Sequence, residues 1–159
     1  MKTAIYPGTF DPITNGHLDV LKKAAQIFDR VILAVAEETG KNTIFSTTER
    51  VDLCRKATRD ISGVEVTSFD GLVVDFAEEM KAKTMIRGLR AISDFEYELS
   101  LSLMNEKLNN SINTIFFVPD IQHLYLSSSL VRQVVELGGK AKDLIPECVL
   151  KALMQKYKK

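Results

Sequence analysis

The chain has no excess of either charge, few cysteines and no apolar run long enough to cross a bilayer. Its 21 basic and 21 acidic side chains balance across 159 residues, which argues against a protein held on nucleic acid by bulk electrostatics. A neutral total still allows a local basic pocket for a small anionic ligand. Cys54 and Cys148 show neither metal-binding nor redox spacing, so we expect them to be small core residues. Since the first residues also lack a signal-peptide pattern, we expect a cytoplasmic protein.

Short β-rich runs alternate along the chain with longer segments of helical periodicity. Strands are predicted at Thr3–Tyr6, Val31–Ala36, Val64–Phe69, Thr84–Arg87 and Thr114–Val118. Helices are predicted over Leu18–Phe28, after Ser46, over Val73–Met80, Ser93–Leu108 and Ser128–Leu137, and after Pro146. This alternation predicts an α/β fold: a doubly wound, Rossmann-like, five-stranded parallel sheet with helices on both faces. No repeat or Pro/Gly-rich linker divides the sequence, so residues 1–159 are expected to form a single domain.

The predicted helix over Ser93–Leu108 is apolar on more than one side. Phe95 and Leu99 lie on one side, whereas Tyr97 and Met104 lie on another. A helix that is apolar on two sides must have both sides shielded from water. The second side could pack against the chain's own core or against another subunit, and the sequence favours the two alternatives equally.

Residues suited to binding phosphate follow the predicted strands. The segment Gly8–His17 follows the first strand, Lys41 lies in the loop after the second, and Arg87–Arg90 ends the fourth. His123 and the run Ser127–Ser129 follow the fifth. The carboxyl ends of parallel strands share one edge of the sheet, and ligands of open α/β folds bind there where the strand order reverses. We therefore predict one site at this edge.

The segment Gly8–His17 is predicted to be a nucleotide-binding turn between a strand and a helix. Glycine permits close approach of the backbone to a phosphate, and N–H groups at a helix start attract anions. His17 can donate a hydrogen bond to a phosphate oxygen; alternatively, its ring caps the helix or packs locally. The turn contains no G-x-G-x-x-G, and Val35 stands where a P-loop before Lys41 would need its first glycine. A dehydrogenase and a P-loop kinase are therefore disfavoured.

Four separated motifs carry a resemblance to a known family. Thr14-Asn15-Gly16-His17 matches the (His/Thr)-x-Gly-His pattern of the nucleotidyltransferase superfamily. The chain resembles the bacterial phosphopantetheine adenylyltransferases in the segments Tyr6–His17, Ile86–Ala91, Asp94–Glu98 and Ser127–Arg132. It departs from them at Leu126, where the serine run usually follows Ile, and at His123, where some members have Trp.

The resemblance implies transfer of the adenylyl group of ATP to 4′-phosphopantetheine, giving dephospho-coenzyme A and pyrophosphate in coenzyme A biosynthesis. The attacking phosphate is already anionic at neutral pH, so no general base is needed. Positioning and electrostatic stabilisation supply most of the catalysis in such transfers. The resemblance further implies Mg²⁺ as the partner of ATP, no metal site built by the protein, and a homo-hexamer that binds neither nucleic acid nor membrane.

The resemblance also implies a role for particular residues. His17, Lys41 and Arg90 would carry catalysis. The acceptor would be bound by Thr9, Lys41, Val73 and Arg87. The residues expected to contact ATP are Thr9, Phe10, His17, Gly88, Leu89, Arg90, Glu98, His123, Leu124, Tyr125, Leu126, Ser127, Ser128 and Ser129.

Each charged residue of this set also has a purely structural interpretation. Lys41 and Arg90 are long cations of a kind that solvent commonly surrounds. Glu98 could face solvent or pair with a neighbour. Arg87 ends a strand whose sequence is typical of a buried strand. Because an unpaired charge is costly there, we expect Arg87 to contact a ligand or an acidic partner.

Further alternatives concern the turn, the serine run and the activity. Asp11 could bind a metal, although before Pro12 a turn-forming role is favoured. The run Ser127–Ser129 could be a simple helix cap. Rival functions are another small nucleotidyltransferase, such as one acting on nicotinamide mononucleotide, and a non-catalytic nucleotide-sensing module.

Overall fold

Five parallel strands form one sheet in the computed structural model, which describes residues 1–158 apart from the side chains of Ile92 and Ser93. The strands are β1 (Thr3–Gly8), β2 (Arg30–Ala36), β3 (Val64–Phe69), β4 (Thr84–Gly88) and β5 (Asn113–Phe117). Their order is β3-β2-β1-β4-β5, so it reverses between β1 and β4. The predicted doubly wound parallel sheet is confirmed.

Six helices follow the strands along the chain. They are α1 (Asn15–Ala25), α2 (Thr47–Thr58), α3 (Val73–Glu79), α4 (Ile92–Leu108), α5 (Ser128–Glu136) and α6 (Glu147–Tyr157). Ser46 caps α2 through the Glu49 backbone N–H, and the Glu49 side chain accepts from the Ser46 N–H in return. A short 3-10 turn, Ile121–His123, was not predicted. None of the helices within residues 1–158 combines the length and apolarity of a membrane span.

Both faces of the sheet are covered by helices, because successive side chains of a strand point to opposite sides. In β1, Ala4 and Tyr6 belong to the larger core, which also takes buried residues of α1, α2, α5 and α6. Ile5 points the other way and packs with Val74 and Phe76 of α3. Each such fully buried aliphatic side chain contributes about 2 kcal/mol through apolar burial. The predicted cover of helices on both faces of the sheet is confirmed.

The helix α4 keeps a large apolar surface. Tyr97, Leu103, Met104 and Leu108 are each more than half exposed, at 65%, 57%, 58% and 53%. The chain's own core therefore does not cover this side of α4, which disfavours the core-only interpretation.

Candidate active site

A cleft of about 740 Å³ opens at the carboxyl ends of the strands, beside the reversal of strand order between β1 and β4. Most of the residues proposed from the sequence line it. They are Thr9, Phe10, His17, Lys41, Val73, Arg87, Gly88, Arg90, Glu98, His123, Leu126, Ser127, Ser128 and Ser129. The prediction that one sheet edge gathers them is confirmed.

Three predicted ATP contacts lie outside the cleft wall formed by the described residues: Leu89, Leu124 and Tyr125. The Leu89 N–H extends the sheet by donating to the Phe117 carbonyl at 2.9 Å. Tyr125 is 61% exposed. Their assignment as ATP contacts stays a prediction.

The turn after β1 is built around the ring of Phe10. This residue has a left-handed backbone, with φ of +50°, and its side chain is 3% exposed. Its ring packs edge-on against Tyr6 and His17, with centroids 5.5 and 5.1 Å away. A Cβ on Gly8 would come within 2.9 Å of that ring. Room for Phe10 is therefore a reason for glycine at position 8 that the sequence did not indicate.

His17 is fixed by the start of its own helix. The Thr14 N–H donates to His17 Nδ1 at 3.0 Å, and the His17 N–H donates to Thr14 Oγ1 at 3.4 Å. This is a capping box with histidine in the place usually taken by Glu or Gln. Because Nδ1 accepts a hydrogen bond, the neutral ring carries its proton on Nε2. Local capping and phosphate donation, posed as alternatives, thus use different nitrogens of one ring.

The His17 imidazole is neutral at physiological pH. Burial and, to a smaller extent, the positive charges of Arg90 and Arg87 lower its pKa from 6.5 to about 4. The site therefore presents an uncharged N–H donor beside two permanent cations.

We predict that His17 makes the fold sensitive to mild acid. The unfolded chain, with a histidine pKa near 6.5, binds more protons than the folded chain between pH 6.5 and about 4. The stability gained by burying neutral His17 is thus complete above pH 6.5 and is lost as pH falls toward 4. Relative to His17→Gln, the wild-type chain should lose about 2 kcal/mol of unfolding free energy between pH 7 and pH 5. Urea unfolding of both proteins at the two pH values measures this, and parallel losses would contradict the shifted pKa.

Arg87 meets an acidic partner, as its place in a buried strand led us to expect. Its Nε and Nη2 donate to the two carboxylate oxygens of Glu98 at 2.6 and 2.5 Å, and Nη1 donates to the Pro7 carbonyl at 3.0 Å. Glu98 is 8% exposed, so the solvent-facing alternative for it is wrong. A guanidinium has five N–H groups, and these bonds leave two that can donate to a phosphate.

Arg90 links the end of β4 to the loop that precedes α5. It donates to Asp94 Oδ2 at 3.1 Å and to the Leu126 carbonyl at 2.6 Å. It is therefore held by the protein, whereas Lys41 is exposed in the loop after β2.

Asp11 holds the Lys41 loop against the turn. Its carboxylate, 3% exposed, accepts from the backbone N–H groups of Ile44 and Phe45 at 2.9 and 3.0 Å. Asp11 thus has a structural role, but the bonds of its carboxylate hold a distant loop and not the turn before Pro12 for which it was predicted. Among the residues described, no group of three His, Cys, Asp or Glu side chains is arranged to hold a metal ion.

Each hydroxyl of the serine run has a partner within the protein. Ser127 caps α5 by accepting from the Leu130 N–H at 3.1 Å, and Ser128 donates to the Pro12 carbonyl at 2.7 Å. Ser129 accepts from Arg132 at 3.3 Å. The run is thus more than a cap, since it joins the start of α5 to the β1 turn.

The sequence did not reveal the residues that brace this turn from afar. Arg132 lines the cleft and donates to the Asp11 carbonyl. Asn15 donates through its side chain to the Asp143 carbonyl and through its backbone to the Leu144 carbonyl, both at 2.9 Å. Such contacts join residues more than 100 positions apart and leave no local pattern.

Comparison with known proteins agrees with this geometry. Residues 5–134 match the cytidylyltransferase-like family. The chain is 52% identical to the phosphopantetheine adenylyltransferase of Moorella thermoacetica, over 99% of this chain and 98% of that one. It is 50% identical to the phosphopantetheine adenylyltransferase of Thermodesulfovibrio yellowstonii, with 99% of each chain covered.

A solved structure shares the fold at low sequence identity. It is described as a candidate nicotinate-nucleotide adenylyltransferase from Vibrio parahaemolyticus and matches with a TM-score of 0.76, over 100% of this chain and 98% of that one. At 16% identity this similarity concerns the fold alone. It confirms the Rossmann-like α/β architecture.

Proposed function

The chain belongs to the cytidylyltransferase-like family and, within it, to the phosphopantetheine adenylyltransferases, and on this basis we propose how its cleft works. The protein is a nucleotidyltransferase of coenzyme A biosynthesis. Its substrates are ATP and 4′-phosphopantetheine, and its products are dephospho-coenzyme A and pyrophosphate.

One observation carries the assignment of the site: neutral His17 presents Nε2–H at the start of α1, in the cleft that Arg87 and Arg90 also line. Helix N-termini favour anions through their unpaired N–H groups and dipole. The starts of α1 and α5 both border this cleft, through Gly16 and Ser128. Together they suit a polyphosphate better than any uncharged ligand.

We assign the β1 turn and the start of α5 to ATP. His17 Nε2–H donates to the α-phosphate, and the bond strengthens as negative charge accumulates there in the transition state. The two unused N–H groups of Arg87, with Lys41, orient the phosphate of the acceptor. An acceptor oxygen bonds to the α-phosphorus while the bond from that phosphorus to the bridging oxygen breaks, and pyrophosphate leaves with those electrons.

Mg²⁺ accompanies ATP in this scheme as the ion of the nucleotide. Of the four carboxylates that line the cleft, those of Asp11, Asp94 and Glu98 are each engaged by backbone N–H groups or by arginine. Glu38 is the fourth, and one carboxylate does not make a protein-built cage. Mg²⁺ takes phosphate oxygens and water readily and neutralises part of the phosphate charge when bound. We propose a cytoplasmic location, because ATP is a cytoplasmic metabolite.

We propose a hexamer in which the exposed apolar side of α4 lies against another copy of the chain. The exposed Tyr97, Leu103 and Met104 support this, because contiguous apolar surface on a helix marks an interface. Light scattering is the direct measurement, and a monomer at working concentration would contradict this part alone.

We predict that phosphopantetheine is the acceptor. ATP-dependent pyrophosphate release should be rapid with 4′-phosphopantetheine and lower by a factor on the order of 10³ with nicotinamide mononucleotide, because acceptor contacts decide specificity. Chelation of Mg²⁺ should abolish both rates. Preference for nicotinamide mononucleotide would make the chain a different adenylyltransferase, and ATP binding without turnover of any acceptor would make it a sensing module.

A further inference from the structure

Arg50, near the start of α2, is almost completely buried, at 1% exposure. Its Nη1 donates to the carbonyl oxygens of Thr9 and Ala36, both at 2.8 Å. Its Nη2 donates to Thr47 Oγ1 at 3.0 Å, and its Nε has no partner among the residues described. A guanidinium thus lies directly behind the turn of the candidate active site, bonded to uncharged oxygens.

This arrangement costs stability. Arg50 is in no ion pair formed within the described part of the chain. The dipole of α2 is positive near this end, which disfavours a cation there. A well-packed apolar side chain is commonly at least as stabilising as a buried charge. The benefit of arginine at this position therefore lies in the two carbonyl groups that it holds.

The bond to the Thr9 carbonyl fixes the direction of the next N–H group. In a planar trans peptide the C=O of one residue and the N–H of the following residue point in opposite directions. The Thr9 carbonyl points inward to Arg50, so the Phe10 N–H points outward, toward the cleft that Phe10 lines. That N–H has no acceptor within the described residues.

The same contact explains how Phe10 keeps an unfavourable backbone. A left-handed φ is unfavourable for a residue other than glycine, and Phe10 has φ of +50°. The second bond of Nη1, to Ala36, ties the turn to the end of β2. One nitrogen thus fixes the two strand ends that form the floor of the cleft.

We propose that Arg50 is a positioning residue that aims the Phe10 N–H at the phosphates of ATP. This rests on the proposed function, which places ATP at the β1 turn. Arg50 itself touches no substrate. It acts by holding one peptide group in the orientation that an anion needs.

Steady-state kinetics of Arg50→Met test the proposal. The variant should raise the KM for ATP about 10- to 100-fold, the fold-change of one hydrogen bond to a charged group. The KM for 4′-phosphopantetheine should change less than about twofold, since a single lost donor affects only its own ligand. Arg50→Lys should give an intermediate KM for ATP, because one ammonium cannot reproduce the planar geometry.

The matched control is Leu53→Ala, on the same helix. Leu53 is also buried, at 6% exposure, and belongs to the larger core. Its truncation should weaken the fold and leave both KM values unchanged. Equal KM changes for the two substrates in Arg50→Met, or ATP kinetics of Arg50→Lys equal to the wild type, would overturn the positioning role.

A second readout avoids turnover. With phenylalanine labelled with ¹⁵N, a non-hydrolysable ATP analogue should shift the Phe10 amide signal in the wild-type protein and leave it nearly unmoved in Arg50→Met. An equal shift in both proteins would remove Arg50 from its role while keeping the ATP site. A Phe10 signal unmoved in the wild type would overturn the placement of ATP, and the role of Arg50 with it.

Discussion

His17→Ala should lower turnover by a factor on the order of 10³ while weakening ATP binding far less, as expected for loss of a donor to the transition state. The donor that the substitution removes is the Nε2–H of neutral His17, because Nδ1 already accepts from the Thr14 N–H. The measurement is kcat and the dissociation constant of ATP for each protein. A small loss of kcat, or an equal loss of ATP affinity, would remove His17 from its proposed role.

Two further substitutions separate donation from helix capping. Gln and Glu both suit the third position of a capping box, so either side chain should accept from the Thr14 N–H. His17→Gln can also donate through its amide and should recover part of the lost rate. His17→Glu offers no donor and adds a negative charge, so its rate should fall at least as far as that of His17→Ala. Equal rates for the Gln and Glu variants, both well above that of His17→Ala, would show that capping is the main contribution.

Arg87→Met should raise the KM for 4′-phosphopantetheine by a factor on the order of 10², through loss of charge-assisted hydrogen bonds to its phosphate. It should also lower the unfolding free energy by about 2 kcal/mol, because the substitution leaves the Glu98 carboxylate without its arginine. This is below the usual cost of breaking a buried pair, since the Arg87 side chain is 26% exposed.

The double variant Arg87→Met/Glu98→Met distinguishes these two effects. It removes the unpaired carboxylate, so stability should recover while the KM for the acceptor stays high. Glu98→Met alone tests the predicted contact of Glu98 with ATP, because the KM for ATP should rise if that contact exists. An unchanged acceptor KM in Arg87→Met would place the acceptor phosphate elsewhere in the cleft.

The sheet could be predicted closely because its signals are local. Buried strands give continuous apolar runs, and the helices between them give amphipathic spacing and a capping pair such as Ser46 with Glu49. The observed strand boundaries differ from the predicted ones where pairing with a neighbouring strand extends a strand. β1, for example, extends through Pro7 and Gly8, which lie opposite Ala34 and Val35 of β2. The clustering of cations and hydroxyls at one edge followed from parallel topology alone.

The supports of the site could not be predicted so well, because they depend on distant contacts. Arg50 lies on the same helical face as Cys54, a spacing that could have marked it as a buried cation. Nothing local indicates that the Thr9 carbonyl turns toward it. The left-handed backbone of Phe10 is equally unexpected, since this conformation is rare outside glycine and asparagine.

The two bonds that Asn15 donates to the carbonyls of residues 143 and 144 have a consequence for how the protein is made. The nucleotide turn is synthesised more than 100 residues before the groups that brace it, which include Arg132. A nascent chain that ends before them holds the motif without its supports. Domains generally fold as units during synthesis, so we expect the turn to bind nucleotide only after residues 143 and 144 have been made and contact it.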